Sequence, residues 1–325
     1  MNITCIIPTK ASGVGIPVLL RCLKSVRHAE EMQHTIKVHV VLVSENEYVR
    51  RKLPKKYVDQ YIWLSANYGF SEKNNEAIEK TISTYPSNYY LFLNDDAWLE
   101  KDFFMNAYKE LKPGNIDLLG AIVYENETRI IDSYGSEYFS SGYAKNACNK
   151  SIKTTLLTAA CLFVKRDFLK KMKRAYGYYY NPLLFYYMED VEFCIRALGI
   201  HGILKKSENL IVHHIGSFTS GKKSYFPMYY TYRNIVWVIL ITWPLREIAR
   251  KVISILVVQI WVMFYSTMLF GPKMYIKILI ETLFNLKNIM RFRKNTINNY
   301  ASDFVFSRIF SIYAFRTHHG LCIKI

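Results

Sequence analysis

Apolar, β-branched runs alternate with stretches of helical period through the first third of the chain. Ile3–Ile7, Ile36–Val43, Tyr61–Leu64 and Tyr89–Leu93 read as strands. Between them, Val18–Ala29 and Ser71–Ser83 read as helices, and Asp102–Leu111 is a third, closed by Pro113-Gly114. Leu19, Leu20, Leu23 and Val26 fall on one helical face. Successive strands separated by helices form βαβ units, so the chain is expected to be an α/β protein with a mostly parallel sheet.

The pattern continues less regularly. Ile116–Val123, the small-residue run Thr154–Val164 and Leu210–His213 are expected strands, and Asp190–Leu198 is a helix stopped at Gly199. Glu125–Ser151, rich in Gly, Ser, Asn and Tyr, is expected to hold short strands and a loop. After Pro227 the composition turns aromatic, aliphatic and basic. Two regions are therefore expected, an α/β domain over 1–224 and a helical one over 225–325.

The net charge is +17, and 15 Lys+Arg against 3 Asp+Glu place +12 of it after residue 220. That basic tail also holds Val252–Phe270, 19 uncharged residues flanked by Arg250, Lys251 and Lys273. Nineteen residues approach the length of a bilayer-spanning helix. Gln259 and Ser266 within the run favour an interfacial or re-entrant arrangement over a spanning one. Basic plus apolar points to an anionic membrane surface, and no recognition motif points to nucleic acid. The six cysteines are scattered without a CxxC pair, which fits a reducing cytosol. The N-terminus lacks a basic segment and its apolar run is too short for a signal peptide, so it reads as a first strand.

Chemistry concentrates in four places. Leu91-Phe-Leu ends in Asn94-Asp95-Asp96, as a buried parallel strand delivers carboxylates to the carboxyl edge of a sheet. Carboxylates there suit a hard divalent cation that also holds a diphosphate; helix capping is the competing reading. Glu189-Asp190-Val-Glu192 opens a helix, and one of its carboxylates is a candidate general base. Ahead of it, the aromatic stretch 178–187 can stack on a sugar ring, exclude water and raise a carboxylate pKa, or simply be core. His213-His214 end a strand whose alternation admits one ring to the site, where nitrogen ligation favours Mn²⁺ over Mg²⁺. Asn67-Tyr-Gly69 through Asn75 joins a strand to a helix whose free N–H groups could contact a base, ribose or phosphate. No GxGxxG, Walker loop or GxSxG is present, which removes support for dehydrogenases, P-loop enzymes and serine hydrolases.

The ordered set Ile6-Ile7-Pro8-Thr9, Asn67-x-Gly69-Phe70-x4-Asn75, Leu93-Asn94-x-Asp96, Glu189-Asp190-x-Glu192-x3-Arg196 and His213-x2-Gly216 resembles family-two glycosyltransferases. With Tyr232-Arg233-Asn234 it is most similar to the rhamnosyltransferase-like bacterial subgroup. The resemblance covers about residues 1–240. It implies a GT-A fold and an inverting transfer from a nucleotide-sugar. Pro8 and Thr9 would lie at the nucleotide pocket, lined by Asn67, Gly69 and Asn75. Asp96 would hold the metal, Mn²⁺ or Mg²⁺, with Asn94 where other members carry the first Asp of an Asp-x-Asp, and Asp95 beside the donor. Asp190 would be the catalytic base, supported by Glu189, Glu192 and Arg196, and His213 a late metal or phosphate contact. The family's Asp-Asn pair after the second strand is replaced by Ser44-Glu45-Asn46, with Glu45 as the substitute.

The resemblance thus implies a UDP- or dTDP-linked donor, and a glycan or lipid-linked glycan acceptor such as an O-antigen or capsule precursor. The place of action would be the cytoplasmic face of the inner or plasma membrane. A catalytically inactive sugar-nucleotide-binding scaffold of a membrane glycan assembly is the rival reading; Asp96 and Asp190 speak against it. A nucleotidyltransferase fits less well, since Lys10–Gly15 only faintly matches its Gly-rich loop.

Overall fold

A computed structural model describes residues 1–11, 13, 15–152, 154–216, 224–311, 315–316 and 322–323. In chain order the α/β region contains β1 (Asn2–Thr9), α1 (Gly15–Glu31), β2 (Lys37–Ser44), α2 (Glu47–Lys52), β3 (Gln60–Trp63), α3 (Gly69–Thr81), β4 (Tyr89–Leu93), β5 (Ala97–Leu99) and α4 (Phe103–Leu111). It continues with β6 (Leu118–Glu125), β7 (Ile131–Ser133), β8 (Ser136–Tyr138), β9 (Ala144–Asn146), β10 (Cys161–Lys165), α5 (Arg166–Tyr176), α6 (Glu189–Gly199) and β11 (Leu204–His214). Four helices follow: α7 (Tyr225–Thr242), α8 (Leu245–Phe270), α9 (Lys273–Phe284) and α10 (Leu286–Asn298). The short strands β12 (Phe315–Arg316) and β13 (Cys322–Ile323) pair with each other.

The main sheet runs β3-β2-β1-β4-β10-β6-β11-β5, with β7 also on β6. β3, β2, β1 and β4 are parallel, β10 reverses direction between β4 and β6, and β5 and β7 run antiparallel to β11 and β6. The chain leaves β1 toward β2 and β3, then returns to build outward from β4. The crevice between the carboxyl ends of β1 and β4 is therefore the topological switch point, where open α/β sheets bind ligands. Pro8 is tolerated inside β1 because pairing with β4 stops at Ile6, so its missing N–H is not asked for there.

Period-two alternation divides the core between the two faces of the sheet. Ile3, Cys5 and Ile7 of β1 and Leu91 and Leu93 of β4 pack with α1 and α4. Ile6, Tyr90 and Phe92 face α3, α5, α6 and α7. Of the expected α1 face, Leu19, Leu23 and Val26 are buried, together with Cys22 and Ala29, while Leu20 is half-buried.

Two strands differ from expectation. Of Thr154–Val164, only Cys161–Val164 lies in a strand, β10. Residues ahead of it turn at Ala159-Ala160, where the Ala159 N–H and the Ala160 carbonyl bond to Asp190 and Asn94 and the Ala160 N–H bonds to the Thr158 hydroxyl. The strand at Leu210–His213 instead begins at Leu204, with a register shift between Lys206 and Ile211. The charged stretch Lys205–Asn209 hides it, since a bulge breaks the alternation that marks a strand.

The helical region shares a core with the α/β region: Ile235, Trp237 and Trp243 belong to the same apolar cluster as Phe92 and Tyr180. The expected boundary at 224/225 adjoins residues 217–223, which lie outside the described residues; α7 begins at Tyr225. α8 has 26 residues and is, by length and composition, long and apolar enough to cross a membrane. Ser254, Val258, Val262 and Ser266, each four apart, are its buried stripe after the first turns. Ser140 and Ser254 hydroxyls meet at 3.2 Å, and Trp261 contacts Tyr143. The helix thus lies along the body and turns its remaining apolar surface outward.

Candidate active site

At the switch point the end of β1 meets the loop after β4. The Thr9 hydroxyl donates to Oδ2 of Asp95 at 2.5 Å, while its oxygen accepts the Ala11 N–H at 2.9 Å. Burial, and then the adjacent Asp96, push Asp95 up to about 6, against the opposing pull of Thr9 and Lys73. Lys73, on α3 and only 1% exposed, donates to the Thr9 carbonyl at 2.8 Å and pairs with Glu45 at 2.5 Å. Glu45 is therefore paired with a buried lysine, whose ammonium would be costly to leave unpaired at that depth. Lys10, its pKa lowered by burial and then by Lys73, sits over the Tyr186 ring at 4.3 Å. The Asn46 side chain caps α2 and reaches the Ala11 carbonyl at 2.8 Å.

Beyond β4, Asp96 meets a histidine. Nε2 of His214 lies 3.0 Å from Oδ1 of Asp96, and its Nδ1 lies 3.2 Å from Oδ2 of Asp132. The Asn94 amide is 3.4 Å from the same Nε2. Burial opposes charge on His214, but Asp132 and Asp96 outweigh it and hold its pKa at about 10. His213 is placed apart from Asp96: its Nε2 lies 2.7 Å from Glu100, its Nδ1 lies 2.7 Å from the Asn126 carbonyl, and its ring stacks on Trp98. β11 pairs His213 with Trp98 and His214 with Ala97. Alternation then sends 213 to one face and 214 to the face of Asp96.

The second acidic cluster opens α6. Asp190 accepts the Ala159 N–H at 3.3 Å and the Val191 N–H at 2.8 Å. Burial raises its pKa despite these bonds. Glu189 is pushed up to about 8, by burial first and then by the charge of Asp190. Glu192 and Arg196 form a fully buried pair at 2.8 Å, with Glu192 also accepting from Tyr178 and Asn181. The pair fixes the inner face of α6 rather than facing the crevice.

One turn joins the two clusters. Ala160 gives its carbonyl to the Asn94 N–H at 3.1 Å, and Ala159 gives its N–H to Asp190. The loop carrying Asn94-Asp95-Asp96 and the helix carrying Asp190 thus grip adjacent residues at the same sheet edge.

The Asn67–Asn75 segment is placed differently from its expected lining role. Asn75 holds the Tyr180 backbone at both its N–H and its carbonyl, each at 2.9 Å, and so anchors the aromatic stretch. Asn67 is exposed and accepts the Gly69 N–H at 3.1 Å. Gly69 has φ +80°, and a Cβ there would sit 2.2 Å from the Phe185 carbonyl oxygen. Only glycine meets both demands. Tyr187 and Met188, just before Glu189, have φ of 66° and 65°. Left-handed backbone at two non-glycine residues costs on the order of 1–2 kcal/mol each, so surrounding contacts must hold it.

Lys10, Lys73 and Asp132 escaped the sequence reading. Lys73 left a readable trace, since it breaks the apolar spacing of Phe70, Ala77 and Ile78 on the buried face of α3. Asp132 left none, because its approach to His214 depends on β7 pairing with β6.

Among the described residues no three His, Cys, Asp or Glu side chains form a cation-binding group. Asp96 offers a carboxylate oxygen suited to a hard divalent cation, and Nε2 of His214 would join it only after a cation displaces the proton that His214 holds between Asp96 and Asp132.

The family model described as "Glycosyl transferase family 2" matches residues 4–173, about half of the chain and short of α6. No curated protein matches. Among solved structures, S. aureus TarS is 17% identical at a TM-score of 0.50, covering 79% of this chain and 42% of TarS. GalNAc-T7, solved with UDP, GalNAc and Mn²⁺, is 13% identical at 0.55, covering 74% of this chain and 48% of that one. The mannosyltransferase PcManGT from Pyrobaculum calidifontis, with GDP-Man and Mn²⁺, is 11% identical at 0.52, covering 91% and 85%. The chain spans less than half the length of TarS and GalNAc-T7. These likenesses establish the GT-A fold.

Proposed function

The chain belongs to glycosyl transferase family 2, and from that premise we propose that it moves a sugar, with inversion, from a nucleoside-diphosphate donor to a hydroxyl of a lipid-linked glycan. The observation carrying this reading is the Ala159-Ala160 turn, which ties the Asn94–Asp96 loop and Asp190 to one crevice. The donor's diphosphate lies at the switch point by Thr9, near Lys10 and Lys73. Asp190, with its pKa raised by burial, takes the proton from the acceptor hydroxyl as that oxygen attacks the anomeric carbon from the far side. Mn²⁺ or Mg²⁺ held by Asp96 and His214 would supply positive charge against the departing diphosphate. The UDP and GDP-Man in the neighbouring structures support a nucleotide-sugar donor.

The acceptor side follows from α8–α10. Phe264, Met268, Leu283 and Phe284 are 68–84% exposed, and α9 and α10 carry the basic residues Lys273, Lys277, Lys287 and Arg291. We read this surface as one that lies in the headgroup region of an anionic cytoplasmic leaflet, where a lipid-linked acceptor in O-antigen or capsule synthesis would be presented. α8 lies along the body by its buried stripe, which favours an interfacial helix over a spanning one.

The test is a transfer assay over UDP-, dTDP- and GDP-sugars with lipid-linked glycan acceptors, with and without Mn²⁺. Transfer from one donor class, lost in Asp190→Asn with nucleotide binding kept, is expected. No transfer from any donor, with nucleotide binding intact, would leave the binding-scaffold reading standing instead.

A further inference from the structure

The stretch between α5 and α6 has no helix or strand of its own, yet five consecutive carbonyls in it are each held from outside. Arg233 Nη2 reaches the Leu183 carbonyl at 3.4 Å, the Ser71 hydroxyl donates to Leu184 at 2.5 Å, and the Phe70 N–H donates to Phe185 at 2.8 Å. Nδ2 of Asn234 then donates to the carbonyls of both Tyr186, at 2.9 Å, and Tyr187, at 2.7 Å. The first turn of α6 begins immediately after, with the Glu192 N–H on Met188.

Asn234 is wholly buried on α7, beyond the residues matched by the family model. Its Oδ1 accepts the Arg233 Nε–H at 3.0 Å, which fixes which end of the amide is nitrogen. Arg233 is in turn paired with Glu281 of α9 at 3.2 Å. A carboxamide nitrogen is among the few side-chain atoms that can give two hydrogens to two adjacent carbonyls without bringing a charge. Those carbonyls stand on either side of the left-handed residue Tyr187 and lead into the left-handed Met188, and the backbone of these two residues sets the direction in which α6 leaves and Asp190 points.

We propose that Asn234 is a positioning residue for the reaction: it locks the Tyr187-Met188 turn and so holds Asp190 at the acceptor hydroxyl, while α3, through Phe70 and Ser71, anchors the same strap at its other end. This rests on the assignment of Asp190 as the base. Because the anchor stands on α7 and is braced from α9, the helices that face the membrane are mechanically continuous with the base.

The experiment compares the full chain with Asn234→Asp and Asn234→Ala in the transfer assay, with amide hydrogen exchange of 186–192 measured alongside. Asp keeps the bond from Arg233 but turns an acceptor toward two carbonyl oxygens; Ala removes both and serves if Asp does not fold. The expected result is a fall in kcat of about 100-fold with donor KM nearly unchanged, a displaced acid limb in the pH profile, and faster exchange at the start of α6. An active parent whose variants keep kcat, or lose activity only through donor KM or through global unfolding with exchange at 186–192 no faster than elsewhere, would overturn the positioning role and leave the transferase reading intact. A parent that transfers no sugar would remove both.

Discussion

His214 Nε2 stands 3.0 Å from Asp96 Oδ1, while the adjacent His213 is turned to Glu100. Two neighbouring imidazoles of one strand thus have separate partners, and only one belongs with the acidic loop at the switch point. His214→Ala should lower turnover by about 10- to 100-fold and raise the Mn²⁺ concentration needed for half-maximal rate. His213→Ala should leave the Mn²⁺ dependence unchanged. Mn²⁺ titrations of the two variants check this, and equal effects would contradict the assignment.

Asp190→Asn keeps an acceptor for the Ala159 N–H but loses the proton-accepting charge. Turnover should fall by roughly 10²–10⁴, while nucleoside diphosphate binding, read by thermal shift, should persist. A variant with near-parental turnover rules out Asp190 as the base.

Glu189 is raised from 4.5 to about 8 by burial and then by Asp190. Between those values the folded chain holds a proton that the unfolded chain has released, so this group's effect is to lower stability as pH rises from about 4.5 through about 8. Glu189→Gln should flatten that decline and raise Tm at pH 8 by about 2 °C or more, with little change at pH 5. Melting curves of both proteins across this range decide; a parallel offset at every pH would show that titration of Glu189 is not the cause.

Gly69→Ala places a methyl against the Phe185 carbonyl at a positive φ. It should cost more than about 1 kcal/mol of stability and disturb the strap that leads to Asp190. Denaturant unfolding and turnover are expected to fall together; a stable, fully active variant would show the close approach to be relieved elsewhere.

Phe264→Glu combined with Leu283→Glu alters two well-exposed side chains and no buried one. Stability should change by less than about 1 kcal/mol, while co-sedimentation with anionic vesicles should drop severalfold. High-salt washing should release the parent only in part and carbonate fully, as for an interfacial helix. Resistance to carbonate would instead identify α8 as spanning.

Local patterns carried much of this. Strands β1 to β4 and helices α1 and α3 were legible because alternation and helical period depend only on near neighbours. Both acidic clusters stood out because each follows an apolar or aromatic run, although helix capping is an equally local use for such carboxylates. Glu45 shows where such reading ends: its spacing matched a nucleotide contact, but Lys73, buried 28 residues later in the sequence, claims it. Asn75 likewise sat at the expected spacing, yet its two bonds go to the Tyr180 backbone.

By itself the sequence determined the class of fold, the strand end at which Asn94, Asp95 and Asp96 gather and the apolar, basic character of the last hundred residues, since each is written in residues close along the chain. Tertiary structure alone decided which histidine meets Asp96, that Ala159-Ala160 joins two clusters far apart in sequence, and that Asn234 holds the turn before Asp190. Those outcomes depend on strand register and helix docking, where a shift of one residue exchanges one face for the other, and no local pattern encodes that choice.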